Sequence, residues 1–192
     1  INVPSSENHY ILDAFRENRQ ILKNPECTVH DIGDGVMCIE FQTKGNSIGE
    51  GIAKGINEAI DIAERGGWNG IVIGNNDKQF SVGANLMNMG MMAMQKNFDA
   101  IEEFLVGFQK ILMRMRTCNV PVVSATHGFV MGGGLEVSIH CDAGIHASEA
   151  YIGLVEAGVG LIPGGGGTKE MAMRASDSFN SGDVKMPALI DH

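Results

Sequence analysis

Two glycine-rich segments, each next to a glutamate, carry the residue types in this sequence that could do chemistry. Gly132-Gly133-Gly134 precedes Glu136, and Glu156 precedes a second glycine run at 163–167. A helix start leaves N–H groups without intrahelical partners, and glycine lets a ligand oxygen approach them closely. The first segment therefore predicts a site for a developing oxyanion with an acid or base beside it. A glutamate in a first helical turn is also a common cap, so the pattern alone leaves a structural role open.

The same glycines do not form a nucleotide site. Residues 164–169 read Gly-Gly-Gly-Gly-Thr-Lys, whereas a phosphate-binding P-loop ends in Gly-Lys-Ser or Gly-Lys-Thr. Gly158-Val159-Gly160 starts like a dinucleotide-binding motif, but Pro163 stands where its third glycine belongs. Both nucleotide interpretations are rejected.

Alternating strands and helices are predicted to position these segments. Strands are expected at 35–42, 70–74, 121–126 and 141–147, and helices over 8–23, 49–65, 97–116 and 132–140. The order β-α-β-α-β-α-β from residue 35 onward favours an α/β architecture. In the helix over 97–116, helical spacing predicts an inward-facing apolar side formed by Ile101, Phe104, Leu105, Phe108, Leu112 and Met115.

Composition excludes several classes of function. The 192 residues carry a formal net charge of −9, and no basic run is interleaved with aromatic residues, which argues against a nucleic-acid partner. The four cysteines form no Cys-x-x-Cys pair, so we expect reduced thiols in a cytoplasmic protein and no metal site. No apolar run is long enough to span a membrane. Because the chain begins at Ile1 and ends without an obvious stopping element, we expect it to be part of something longer.

Four stretches resemble the crotonase, or enoyl-CoA hydratase/isomerase, superfamily in order along the chain: 39–48, 69–86, 120–142 and 150–169. The sequences of these stretches are most similar to the hydratase region of bifunctional proteins that also carry a 3-hydroxyacyl-CoA dehydrogenase region. The resemblance implies an α/β fold of the crotonase type, a ββα superhelix, here with its C-terminal helices truncated. It divides the chain into an N-terminal helical connector (1–30), a crotonase-like core (31–174) and the start of a truncated C-terminal helical region (175–192).

The resemblance also implies roles for particular residues. Members that hydrate an enoyl-CoA use two glutamates on one water, and these positions are held here by Glu136 and Glu156. The thioester oxyanion would be held by the backbone N–H groups of Ala84 and Gly133. Further substrate contacts are implied for Lys44, Ser47, Val82 and Gly132. Five methionines between 87 and 94 would lie beside the acyl chain, or alternatively pack in the core.

The implied activity is the addition of water to trans-2-enoyl-CoA in fatty-acid β-oxidation. A Δ3-Δ2 enoyl-CoA isomerase and a non-catalytic acyl-CoA-binding module are the alternatives, and activity of this chain by itself is a separate question. The CoA thioester is substrate, so no cofactor is expected in this region, and NAD would belong to a neighbouring dehydrogenase region. The family further implies a homo-oligomer, a trimer or a dimer of trimers. For His127, which lies near a predicted strand end, we favour a structural hydrogen bond over acid–base chemistry.

Overall fold

A computed structural model describes residues 11–15 and 18–180 of the chain. These residues form eight strands: β1 (Gln20–Lys23), β2 (Cys27–Gly33), β3 (Val36–Phe41), β4 (Gly70–Ile73), β5 (Val122–Thr126), β6 (Phe129–Met131), β7 (Ala143–His146) and β8 (Tyr151–Gly153). Six of them make one sheet in the spatial order β1-β2-β3-β4-β5-β7, antiparallel from β1 to β3 and parallel from β3 to β7. Strands β6 and β8 pair in parallel as a second, small sheet.

Five α-helices accompany the strands in the described ranges: α1 (Glu50–Glu64), α2 (Leu86–Met94), α3 (Phe98–Thr117), α4 (Gly133–His140) and α5 (Gly167–Asn180). The apolar stripe of α1 packs on the sheet and on α3, and its members are fully buried as their spacing predicts: Ile52, Ile56, Ala59, Ile60 and Ala63. Within these ranges, none of the helices combines the length and apolarity needed to cross a bilayer.

Most predicted elements are confirmed to within two residues, and so is the α/β class. The helix predicted over 8–23 is wrong for its last residues, because Gln20–Lys23 is a strand whose Leu22 lies opposite Val29 of β2. Strand β2 likewise places residues 27–30 of the expected helical connector in the sheet. The apolar spacing in 11–22 resembles a helical stripe, but pairing with β2 determines the conformation of 20–23. The division of the chain into three segments stays a prediction.

Helix α3 divides into two halves with different surroundings. Phe108, Leu112 and Met115 are buried in the core as predicted. Ile101 and Phe104, nearer its N-terminus, are only partly buried and border a cavity. The apolar stripe of α3 thus continues from the protein interior into the wall of a candidate site.

Candidate active site

A cavity of about 460 Å³ lies between α2, α3, the start of α4 and the loop that leads to α5. Its walls are mostly apolar, with Leu86 and Met89 from α2 and Ile101, Phe104 and Leu105 from α3. The carboxylates of Glu136 and Glu156 are the charged groups among the described residues that line it. A mostly apolar cleft with a few convergent polar groups is the usual form of a small-molecule site.

Two backbone segments meet at one wall of this cavity. The segment 81–84 runs beside β6, since Ser81 N donates to Phe129 O at 3.0 Å and Met131 N donates to Ser81 O at 3.0 Å. Gly83 has a φ of 93°, and a Cβ there would lie 2.9 Å from Met131 O, so both the conformation and the close approach require glycine.

This approach brings Ala84 and Gly133 together. A Cβ on Gly133 would lie 3.3 Å from Ala84 N, and Gly133 is the first residue of α4, where N–H groups lack intrahelical acceptors. Among the described residues, neither backbone N–H donates a hydrogen bond within the protein. Both residues line the cavity, so two N–H donors adjoin the same space.

Glu136 lies in the first turn of α4 and is only 2% exposed. Its Oε1 accepts a hydrogen bond of 2.8 Å from Gly167 N, at the start of α5. Burial raises the pKa of the Glu136 carboxyl, and the nearby Glu156 carboxylate raises it further, against the lowering effect of the N–H groups of the 165–167 loop. A carboxyl with a raised pKa can carry a proton closer to neutral pH than an ordinary glutamate.

Glu156 lines the same cavity. It follows β8, which pairs in parallel with β6, and Gly132 N donates to Gly153 O at 2.9 Å. Gly132 has a φ of 48°, and a Cβ there would lie 2.9 Å from Glu156 Oε1. Among the described residues, nothing hydrogen-bonds the buried Oε2 of Glu156. A buried carboxylate oxygen without a partner is costly, which favours a hydrogen-bond donor in the cavity.

The structure brings six of the eight predicted site residues to the cavity: Ala84, Gly133, Glu136, Glu156, Val82 and Gly132. Lys44 and Ser47 do not line it. They belong to a turn adjoining the 81–84 segment, where Val82 N donates to Gly45 O at 3.1 Å.

Two further interpretations of the sequence meet the geometry here. His127 Nε2 donates to Asp77 O at 2.6 Å, the structural hydrogen bond that the sequence interpretation favoured. Core packing of the methionine run is wrong, because no residue of α2 is buried, while Met89 lines the cavity.

Sequence reasoning missed the role of the 165–167 loop and of the α3 wall. The glycine run at 163–167 was visible, but nothing local showed that its N–H groups meet the Glu136 carboxylate 31 residues away. Gly165 is so close to that carboxylate that a Cβ would lie 2.6 Å from Glu136 Oε2. The spacing of Ile101 and Phe104 marks an apolar face without showing whether protein or ligand covers it.

Comparisons with known proteins show the family and the fold of this chain. Residues 31–181 match the model of the enoyl-CoA hydratase/isomerase family. The chain is 40% identical over 175 residues to a probable 3-hydroxyacyl-CoA dehydrogenase of Bacillus subtilis, covering 88% of this chain and 22% of that protein. It is 38% identical over 103 residues to the crotonyl-CoA hydratase of Syntrophomonas wolfei, covering 53% of this chain and 37% of that protein.

A solved structure of an enoyl-CoA hydratase from Polaromonas sp. JS666 superposes with a TM-score of 0.73 at 25% identity, over 79% of this chain and 61% of that one. This confirms the crotonase-type fold. The chain spans less than a quarter of the length of the Bacillus subtilis relative. With the family match extending over most of its residues, the chain belongs to the enoyl-CoA hydratase/isomerase family.

Proposed function

We propose that this chain is the hydratase region of a fatty-acid β-oxidation protein and adds water to trans-2-enoyl-CoA to give 3-hydroxyacyl-CoA. The observation that carries the proposal is the meeting of two carboxylates, Glu136 and Glu156, in one mostly apolar cavity. Beside them lie the N–H groups of Ala84 and Gly133, which donate to no acceptor in the described part of the chain. The names of relatives support it, since the Syntrophomonas wolfei protein is a crotonyl-CoA hydratase.

In the proposed reaction, the thioester oxygen accepts hydrogen bonds from Ala84 N and Gly133 N. Adding the water oxygen to C3 moves electron density from the double bond onto this oxygen, and preorganised donors stabilise the resulting enolate-like charge by several kcal/mol, about 3–4 for one donor. One carboxylate takes a proton from the water as its oxygen bonds to C3, and the other supplies a proton to C2. Two acid–base groups take part because one proton leaves the water that bonds to C3 while another proton arrives at C2.

The same chemistry determines which substrate and cofactors this region requires. The CoA thioester is the substrate, and this region needs no cofactor of its own because hydration transfers no electrons. We propose that oxidation of the 3-hydroxyacyl product, which needs a hydride acceptor such as NAD, belongs to a neighbouring dehydrogenase region, in keeping with the name of the Bacillus subtilis relative. A cytoplasmic homo-oligomer is proposed on family resemblance, and light scattering of the purified full-length protein tests the assembly.

The test is hydration of crotonyl-CoA by the full-length protein, followed by loss of the enoyl-thioester absorbance. Glu136→Gln and Glu156→Gln should each lower kcat by roughly 10²- to 10⁴-fold, the range for losing a general acid or base. Glu149→Gln, at an exposed position, is the matched control and should leave kcat unchanged. Unchanged turnover in both site variants would refute the assignment.

Two results would select an alternative. Conversion of a 3-enoyl-CoA to the 2-enoyl isomer without hydration would identify an isomerase. Tight binding of an acyl-CoA with no turnover of either substrate would identify a binding module.

A further inference from the structure

The buried carboxylate of Glu170 lies outside the cavity, where helices α3, α4 and α5 meet. Glu170 in the first turn of α5 is 0% exposed, and its oxygens pair with Arg116 of α3 and with Lys169 Nζ at 2.9 Å. His140 Nε2 of α4 lies 3.6 Å from Glu170 Oε1. A carboxylate removed from water is strongly unfavourable unless paired. Although burial alone would raise it, the pKa of Glu170 is lowered by Lys169 and Arg116. Glu170 is therefore an ionised anchor that ties the start of α5 to its neighbours.

The His140 side chain lies between the Glu170 carboxylate and the backbone of Glu136. Its Nδ1 lies 2.7 Å from Glu136 O, and because a carbonyl only accepts, Nδ1 carries the hydrogen. The other ring nitrogen, Nε2, lies on the side of Glu170, at a distance from its Oε1 that is too long for a hydrogen bond. Burial lowers the pKa of His140, and the Glu136 carbonyl and the Glu170 carboxylate oppose that effect.

The segment that Glu170 anchors also holds the Glu136 side chain. Glu170 N donates to Gly166 O at 3.0 Å, and Gly167 N donates to Glu136 Oε1 at 2.8 Å. Helix α3 holds the other end of the same loop, since Gln109 Nε2 donates to Gly164 O at 2.7 Å. Gln109 and Arg116 are two helical turns apart on one face of α3, so that face clamps the loop at both ends.

We propose that Glu170 is a positioning residue for Glu136: by pairing with Arg116 and Lys169, it fixes the start of α5 so that Gly167 N stays on the Glu136 carboxylate. This inference rests on the proposed function for its kinetic consequences. Its geometric consequence does not, because the hydrogen bond to Glu136 exists whatever the reaction.

The experiment compares wild type, Glu170→Gln and Arg116→Lys in the full-length protein. The ¹³C carboxyl resonance of Glu136, assigned by its loss in Glu136→Gln, reports the pKa of that group without any turnover. Loss of the Gly167 donor should raise this pKa in Glu170→Gln. Removing the Glu170 charge alone would lower it, so the sign separates positioning from simple electrostatics. Other titratable groups also face these carboxylates: Glu156 faces Glu136, and Lys169, Arg116 and His140 face Glu170. Glu170→Gln removes only the charge of Glu170, and Arg116→Lys replaces only the guanidinium of Arg116.

Kinetics supply the second readout. In Glu170→Gln, kcat for crotonyl-CoA hydration should fall roughly 10- to 100-fold with KM nearly constant, and the acidic limb of the pH profile should move to higher pH. Arg116→Lys keeps the positive charge but loses the planar guanidinium group. It should raise the pKa of Glu136 and lower kcat, each by less than Glu170→Gln does. Because the Arg116 side chain is partly exposed, we expect Arg116→Lys to fold, so the proposal can still be tested if Glu170→Gln does not fold. Glu102→Gln on the exposed side of α3 is the control for a lost surface carboxylate.

An unchanged or lowered pKa of Glu136 in both variants, with only a lower melting temperature, would overturn the proposal. Inactive wild-type protein in which the pKa of Glu136 still rises in Glu170→Gln would refute the proposed function and leave the positioning role standing.

Discussion

Gly165 offers the sharpest test of how the glycine loop holds Glu136. In Gly165→Ala the new Cβ would lie 2.6 Å from Glu136 Oε2 and 2.7 Å from Phe108 Cε1. The φ of Gly165 lies outside the left-handed region, so the backbone accepts alanine and the effect is purely steric. Real Cβ atoms essentially never come within 3.0 Å of such neighbours, and ordinary contact begins at 3.4 Å. The Glu136 carboxylate must therefore shift by about 0.4–0.8 Å if Gly165 stays in place.

A displacement of this size is enough to affect catalysis. Misplacing a reacting group by about 1 Å costs roughly 10²-fold in rate, so kcat/KM for crotonyl-CoA should fall roughly 10- to 100-fold, or about 1.4–2.7 kcal/mol. Overpacking beside Phe108 should also cost about 1–3 kcal/mol of unfolding free energy. Both quantities come from the same purified protein, by initial rates and by urea unfolding.

Gly107→Ala is the matched control, since it adds the same methyl group to α3 where no atom lies within 4 Å. It should leave kcat/KM unchanged and raise stability by about 0.8–1.0 kcal/mol through helix propensity. Wild-type kcat/KM in Gly165→Ala would show that the loop does not press on the Glu136 carboxylate as the structure places it, and would refute the reasoning.

Three further predictions concern stability and reactivity. Gly55→Ala in α1 should lower the unfolding free energy by about 1–3 kcal/mol in urea titrations despite better helix propensity, because its Cβ would lie 2.1 Å from Cys27 Sγ. The double variant with Cys27→Ala should recover most of the loss. A Gly55→Ala variant as stable as wild type would contradict this packing. Glu136→Gln should have a higher melting temperature than wild type at pH 8. A group whose pKa is raised in the folded state contributes stability at low pH and loses that contribution as the pH rises. The higher melting temperature of Glu136→Gln should therefore disappear near the ordinary glutamate pKa of 4.5. A difference that persists there would count against ionisation of Glu136 as its source. Iodoacetamide at pH 8 should modify partly exposed Cys118 first in the native protein, as read by peptide mass spectrometry. Burial raises the pKa of Cys27 to about 11 and those of Cys38 and Cys141 to about 12, leaving a thiolate fraction of about 10⁻³ or less; rapid labelling of these three would contradict their burial.

Local patterns were sufficient for much of the architecture. The stripe of α1 and the short apolar run of β4 predict their elements because a helix or strand repeats its buried face at a fixed period. The two glycine-flanked glutamates and the crotonase-like motifs likewise predicted Glu136 and Glu156 as site residues, and both line the cavity. These features depend on residues a few positions apart, which a single sequence displays directly.

The tertiary structure decided what depends on distant partners. Gln20–Lys23 is a strand because β2 offers a pairing edge. Ile101 and Phe104 border a cavity that residues of α2 and of the glycine loop also line. The contact between Gly167 N and Glu136, and the pairing of Glu170 with Arg116, join residues 31 and 54 positions apart. Periodicity shows which face of an element is apolar, but what covers that face, and which donor meets a buried carboxylate, is determined only when the elements pack together.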